Sequence, residues 1–193
     1  MYPVSDAFLR AVGSNTRKYF WTGTIVTKGG MTYEFGAKEI LKGSGYISRQ
    51  CCGSTEIELG TVYAAEMGIT LLSDIDRYTL EEALVTLVFH LVLADGSVED
   101  VSMGVFEVSE ANRLAKCLEL KAYDFMLRFD KSFNGFETVG TAYDFIALCC
   151  KMCRVELAHK RAEIDAMPNG GVTLSVYTEN DIETCRDVLF YVA

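Results

Sequence analysis

Thiols, imidazoles and carboxylates carry much of protein chemistry, and this chain spaces each of them suggestively. Cys149-Cys150-Lys-Met-Cys153 contains a C-x-x-C. A redox centre needs that motif where a helix begins, because the helix N-terminus lowers the pKa of the first thiol. Here it falls late in a helical pattern, which argues against redox chemistry. A structural zinc site needs four ligands. Cys149, Cys153 and His159 supply part of such a set, and no second C-x-x-C completes it. The plainer reading is a stripe of small apolar side chains on one helix, packed into a core without metal. Cys51-Cys52 is a vicinal pair. Neighbours on a strand point to opposite faces, so the two thiols do not share one ion. Arg49 nearby would suit a reactive thiol; structural cysteines are the simpler reading.

The chain has two histidines. His90 lies inside a strongly apolar strand pattern and reads as a core or interface histidine with one hydrogen-bond partner. His159 falls in a His-Lys-Arg161 run. Neither has the sequence neighbours of a nucleophilic triad. G-x-S-x-G and H-E-x-x-H are both missing from the chain. Carboxylates pair at Glu56/Glu58, Glu81/Glu82 and Glu99/Asp100. Glu56 and Glu58 share a strand face, as glycosidase chemistry would need. Their alternation with Ile57 and Leu59 is also what any half-exposed strand shows. Gly43-Ser-Gly45 lacks the third glycine and the βαβ setting of a dinucleotide loop. The sequence therefore assigns no catalytic, cofactor-binding or metal-binding residue, and the chain reads as a non-enzyme.

Composition agrees with a folded, acidic protein. Of 193 residues, 50% are hydrophobic, and 18 Lys+Arg face 27 Asp+Glu for a net charge of −9. That balance offers no phosphate-neutralising surface for specific nucleic-acid binding and no polybasic membrane patch. The longest weakly polar run, 84–94, is too short for a membrane helix, which needs about 20 residues. The start Met-Tyr-Pro-Val-Ser-Asp lacks the charge and apolar stretch of a signal peptide. The odd number of cysteines, 7, then reads as free thiols in a reducing compartment.

The elements that would position these groups change character along the chain. Residues 4–12 read as an amphipathic helix capped by Ser5 or Asp6 and stopped by Gly13. Strand patterns follow at 19–27, 32–35, 56–59, 67–72, 84–94, 101–109 and 118–122. Gly29-Gly30 and Asp95-Gly96 make hairpin turns, with a further turn near Asn112. The strand 84–94 is apolar on both faces and should be covered on both, within one chain or across chains. Helical spacing then appears at 124–129, at 141–154 with Thr141 and Asp144 as a capping box, and at 184–193 with Thr184 and Asp187. The expected class is α+β, mainly β. An antiparallel barrel or sandwich spans 1–131, and an α/β part at 132–193 follows. The last residues, Val188-Leu-Phe-Tyr-Val-Ala193, are apolar, as if more chain should follow.

The order of several short segments carries a resemblance. These are Tyr2-Pro-Val-Ser-Asp-Ala-Phe-Leu9, Ser54-Thr-Glu-Ile-Glu-Leu-Gly60, Ala65-Glu-Met-Gly-Ile-Thr-Leu71 and Leu93-Ala-Asp-Gly96. Met103-Gly-Val-Phe-Glu-Val108, Leu120-Lys-Ala-Tyr-Asp-Phe-Met126, Phe129-Asp-Lys131 and Thr184-Cys-Arg-Asp-Val-Leu189 complete the order. Together they resemble the N-terminal part of tail hub proteins of phages and prophages of Gram-positive bacteria, which are similar to the central hub of contractile-tail baseplates. The resemblance implies a structural protein without cofactor, forming a ring, usually a trimer, that extends or closes the tail tube. It implies contacts with tube, distal tail and tape-measure proteins. It places the chain in the bacterial cytoplasm when expressed from a prophage and in the virion tail when assembled. A peripheral adaptor binding an extended peptide at a sheet edge, and a small hydrolase with an unrecognised site, are the other readings.

Overall fold

The computed structural model describes residues 3–50, 62–135, 138–177 and 181–192. The chain folds as two compact units, Met1–Ser48 with Ala65–Asp124, and Arg49–Ala64 with Phe125–Ala193.

The first unit is built on alternation. Its elements are α1 (Asp6–Val12), β1 (Lys18–Val26), β2 (Thr32–Phe35), β3 (Tyr46–Ser48), β4 (Glu66–Leu72), β5 (Leu84–Val92), β6 (Val98–Leu114) and β7 (Cys117–Tyr123). They form one antiparallel sheet in the order β2-β1-β5-β6-β7-β4-β3. The α+β, mainly β expectation holds. Along β5, Val85, Leu87 and Leu91 are buried, while Thr86, Val88, His90 and Val92 are only partly covered within the chain. Inward side chains from β1, β2, β4, β5, β6 and β7 share a single core with Leu80. The sheet has to curl to bring them together. Two register shifts on β6, opposite Leu87/Val88 and between Val108 and Glu110, add local twist.

The curl stops short of a barrel, which corrects that part of the sequence reading. Among the described residues, β2 and β3 are the edge strands. β2 ends at Phe35 opposite Gly23, so it covers only the C-terminal half of β1. The next segment crosses to the far edge instead of extending β2. There Leu41 N–H donates to Thr70 O (2.9 Å) and Leu72 N–H to Glu39 O (2.7 Å). No strand among the described residues takes the place beside residues 18–22.

Other sequence expectations shift at their boundaries. β6 runs past Asn112 to Leu114, and the turn uses Ala115 in a left-handed conformation (φ 53°). No glycine or proline marked that turn, so the sequence misplaced it. β3 has no counterpart among the expected strands, because three residues are too few to show a period. The strand expected at 56–59 lies outside the described residues.

Two glycines make the packing possible. The Phe35 ring lies over Gly23, where an added Cβ would meet Phe35 Cζ at 2.3 Å and the Thr86 carbonyl oxygen at 2.5 Å. The Tyr46 ring lies over Gly68 in the same way, at 2.3 Å. The Tyr46 hydroxyl donates to Glu66 Oε1 (2.5 Å) and fixes the short β3 edge. That bond holds the Glu66 carboxyl below its usual range and raises the Tyr46 phenol. α1 is capped by Ser5, whose Oγ accepts from Phe8 N–H (3.1 Å). Ser5 in turn donates its N–H and O–H to Glu99 at 2.8 and 2.5 Å. Phe8 then packs with Leu91 and Val101.

The second unit holds α2 (Ala142–Cys153), α3 (Arg161–Asp165), α4 (Cys185–Val192) and the two-stranded pair β8 (Val139–Gly140) and β9 (Leu174–Ser175). α2 starts with the expected capping box of Thr141 and Asp144. Thr184 N–H donates to Asp187 Oδ2 (2.8 Å) at the start of α4, repeating the device. α3 escaped the sequence reading because five residues are too few to show a helical period. Phe145, Cys149, Val176, Cys185 and Val188 form the fully buried centre of this unit. No described helix is long and apolar enough to cross a membrane.

Gly23→Ala should lower the urea midpoint with little change in slope, because both neighbours of the new methyl are fixed; overpacking of this kind costs about 1–3 kcal/mol. A wild-type midpoint would show that the sheet has slack at this crossing. Asp144 gives a pH signature. The Arg161 guanidinium beside it, helped by the Thr141 backbone N–H, holds its carboxyl at about 2. The stability it supplies is complete above about pH 4, the unfolded value, and is lost as pH falls toward 2. Acid titration of helical circular dichroism should show that loss, and Asp144→Asn should flatten it.

Candidate functional site

Three side chains that are remote in sequence meet on the uncovered face of the sheet. β1, β5 and β6 are neighbours, with Phe20 opposite His90 and His90 opposite Asp100. Thr22 lies one diagonal step away on the same face, because alternate residues share a face. His90 Nδ1 is 2.6 Å from Asp100 Oδ1, and His90 Nε2 is 2.7 Å from Thr22 Oγ1. Against an ionised Asp100, Nδ1 is the donor, and Nε2 shares the second hydrogen bond with the Thr22 hydroxyl. The Phe20 ring stacks on the imidazole with centroids 4.5 Å apart and planes 8° from parallel. His90 therefore has two polar partners where the sequence suggested one.

The order acid, imidazole, hydroxyl is that of a hydrolase triad. Its surroundings differ from one. Strand N–H groups lie in the plane of the sheet, and those of β5 are taken up by the ladders with β1 and β6. They do not point at the face where an oxyanion on a Thr22-bound substrate would sit. What the three groups do is tie adjacent strands together across their ladders. The sequence could not show this, since cross-strand register is needed to know that Thr22, His90 and Asp100 meet.

The other sequence candidates disperse. Glu99 and Asp100 are strand neighbours and diverge, Glu99 to the start of α1 and Asp100 to His90. Glu82 pairs with Lys28 at 2.6 Å on the surface, just after Glu81 ends a single 3₁₀ turn. Gly43-Ser-Gly45 is a loop stitched to β4, with Thr70 N–H donating to Ser44 Oγ at 3.1 Å. His159 is exposed in a bend. Cys51, Cys52, Glu56 and Glu58 lie outside the described residues.

Cys149, Cys150 and Cys153 do share one helix and are buried, as the spacing implied. Cys185 of α4 joins them, and its thiol reaches both Cys149 and Cys153. Nothing in the sequence linked Cys185 to the C-x-x-C. Burial pushes the Cys149 thiol well above its usual value and the Cys153 thiol up to about 12. Such thiols stay protonated and behave as small apolar groups. Among the described residues no cluster of three or more candidate ligands could hold a metal ion.

Among the cavities of the first unit, one of about 590 Å³ opens in the slot that the unclosed sheet leaves. Trp21, Ile40, Ile47, Ile69 and Leu87 make its floor, and Arg17, Lys18 and Lys42 stand at its rim.

No family model and no curated protein matches the chain. Among solved structures, a chain from the "Virion of native gene transfer agent (GTA) particle" is similar over 86% of this chain and 56% of that one. The sequence identity is 12% and the TM-score 0.45. This chain thus spans a little over half the length of that virion chain, and a score at this level lends no function to it.

Iodoacetamide should leave Cys149, Cys150, Cys153 and Cys185 unmodified in the native protein at pH 8 and modify all four in concentrated guanidinium, as read by peptide mass mapping. Rapid native labelling of Cys153 would contradict its burial.

Proposed function

We propose that this chain is a structural component of a phage or prophage virion, a tail-tip hub that extends or closes the tail tube, and that it performs no catalysis. The observation that supports this best is the open seven-stranded sheet of the first unit. Among the described residues it leaves two free edges, and its outer face exposes Phe20, Val26, Val98 and Val105 between polar positions. Unpaired edges and exposed apolar strand faces invite association, and a closed symmetric ring hides both. The sequence resemblance to tail hub proteins names the kind of ring, usually a trimer, and the tube, distal tail and tape-measure proteins as its neighbours. The gene transfer agent chain also comes from a virion; its low TM-score adds no weight, and the reading rests on the sheet and the resemblance.

The chemistry is compatible with a tube lining. A net charge of −9 repels a phosphate backbone, so DNA would pass without adhering. In this reading the Thr22–His90–Asp100 chain keeps three strands in register and takes no part in turnover.

Imaging of a tail particle that carries the parent protein should place it on the tube axis in a closed ring. A position off the axis, or an open arrangement, would replace the hub by a peripheral adaptor. Light scattering of the isolated chain should show mass rising with concentration, and Val105→Glu on the outer face should suppress that rise without shifting the urea midpoint.

A further inference from the structure

The slot in the first unit has the properties of an unfilled strand position. Five consecutive residues of one chain segment, 17–21, line it. Successive strand side chains point to opposite faces, so a run of neighbours can border one cavity only if the strand is seen edge-on. β1 pairs with β5 along its whole length, while β2 reaches only from Val26 to Gly23. Among the described residues, 18–22 therefore have a ladder partner on one side only. Across the slot stand β3, a free edge, and Ile40, which bridges to Leu71. Beneath lie Ile69 and Leu87, both 3% exposed.

The rim adds charge. Arg17, Lys18 and Lys42 line the slot, and no acidic side chain among the described residues does. This is a local concentration of positive charge in a chain whose net charge is −9. Such a rim favours an anionic guest, and a slot bordered by backbone without a ladder partner among the described residues favours one that brings backbone of its own.

We infer that the slot is a strand-addition site for an extended segment of an acidic partner protein, with apolar side chains at alternate positions and carboxylates at its ends. The guest pairs with residues 18–22 of β1. Its inward side chains rest on Trp21, Ile40, Ile47, Ile69 and Leu87, and its carboxylates meet Arg17, Lys18 and Lys42. The site holds independently of the tail reading, since any acidic strand of this pattern satisfies it.

The blocked heptapeptide Glu-Val-Thr-Val-Thr-Val-Glu is the probe, and Trp21, the one tryptophan of the chain, is the reporter. Titration should shift Trp21 emission and slow about tenfold the exchange of those amides among residues 18–22 that face away from β5. Arg17→Glu combined with Lys42→Glu should weaken binding about fivefold at low salt, and a lysine-ended peptide should prefer that variant over the wild type. Three results would overturn the inference. One is unchanged emission and exchange at millimolar peptide. Another is equal binding by the same peptide N-methylated at every interior residue, which cannot donate to a strand. The third is occupation by something else, either dodecanoate where the peptide does not bind, or a second copy, seen as exchange protection that grows with protein concentration alone.

Discussion

Seven strands in one sheet bury most of their inward side chains against one another, with Leu80 among them. The first unit follows from that constraint. Val85, Leu87, Phe106, Leu118, Leu120, Met67, Leu71 and Ile25 come from five strands and are all nearly inaccessible. Each such side chain gains roughly 1.5–3 kcal/mol on full burial. A flat sheet would forfeit that gain, so the sheet curls. The bulges on β6 give the curl its bend. Gly23 and Gly68 give it room, because aromatic rings occupy the space where their side chains would stand.

The same constraint leaves the edges open. Closing the sheet would require a strand that pairs both with residues 18–22 of β1 and with β3. The chain spends the residues after Phe35 on reaching β4, where Leu41 and Leu72 take up backbone bonds. Core burial is thus completed from the side, and no described strand pairs with the outer edge of residues 18–22. The outer face is held by polar contacts where the inner face is held by packing. Thr22, His90 and Asp100 link three strands there, and Thr24 Oγ1 lies 2.5 Å from Thr86 Oγ1. A face built this way keeps its register in water and leaves Phe20, Val26, Val98 and Val105 exposed.

The second unit solves burial with helices. Its capping residues repeat one device, Thr followed three positions later by Asp, at α2 and α4. The cysteines between those helices are packing groups. They pack between α2 and α4, and burial raises the pKa of the Cys149 and Cys153 thiols.

Local chemistry made much of this legible in advance. The α1 cap at Ser5, the period-two run through β5, the Asp95-Gly96 turn and the Thr141–Asp144 box depend on residues within one turn or one hairpin of each other. The same holds for the buried face of Cys149, Cys150 and Cys153. Short-range hydrogen bonds and side-chain periodicity decide such features, so the sequence by itself determined them. Tertiary structure alone decided whether the sheet would close, where β3 would pair, that Cys185 would join the C-x-x-C, and that Thr22 would find His90 across a strand boundary. Those outcomes depend on register and on which distant segment takes an edge. Register is set by the summed burial of a whole face, and no single stretch of residues contains that sum.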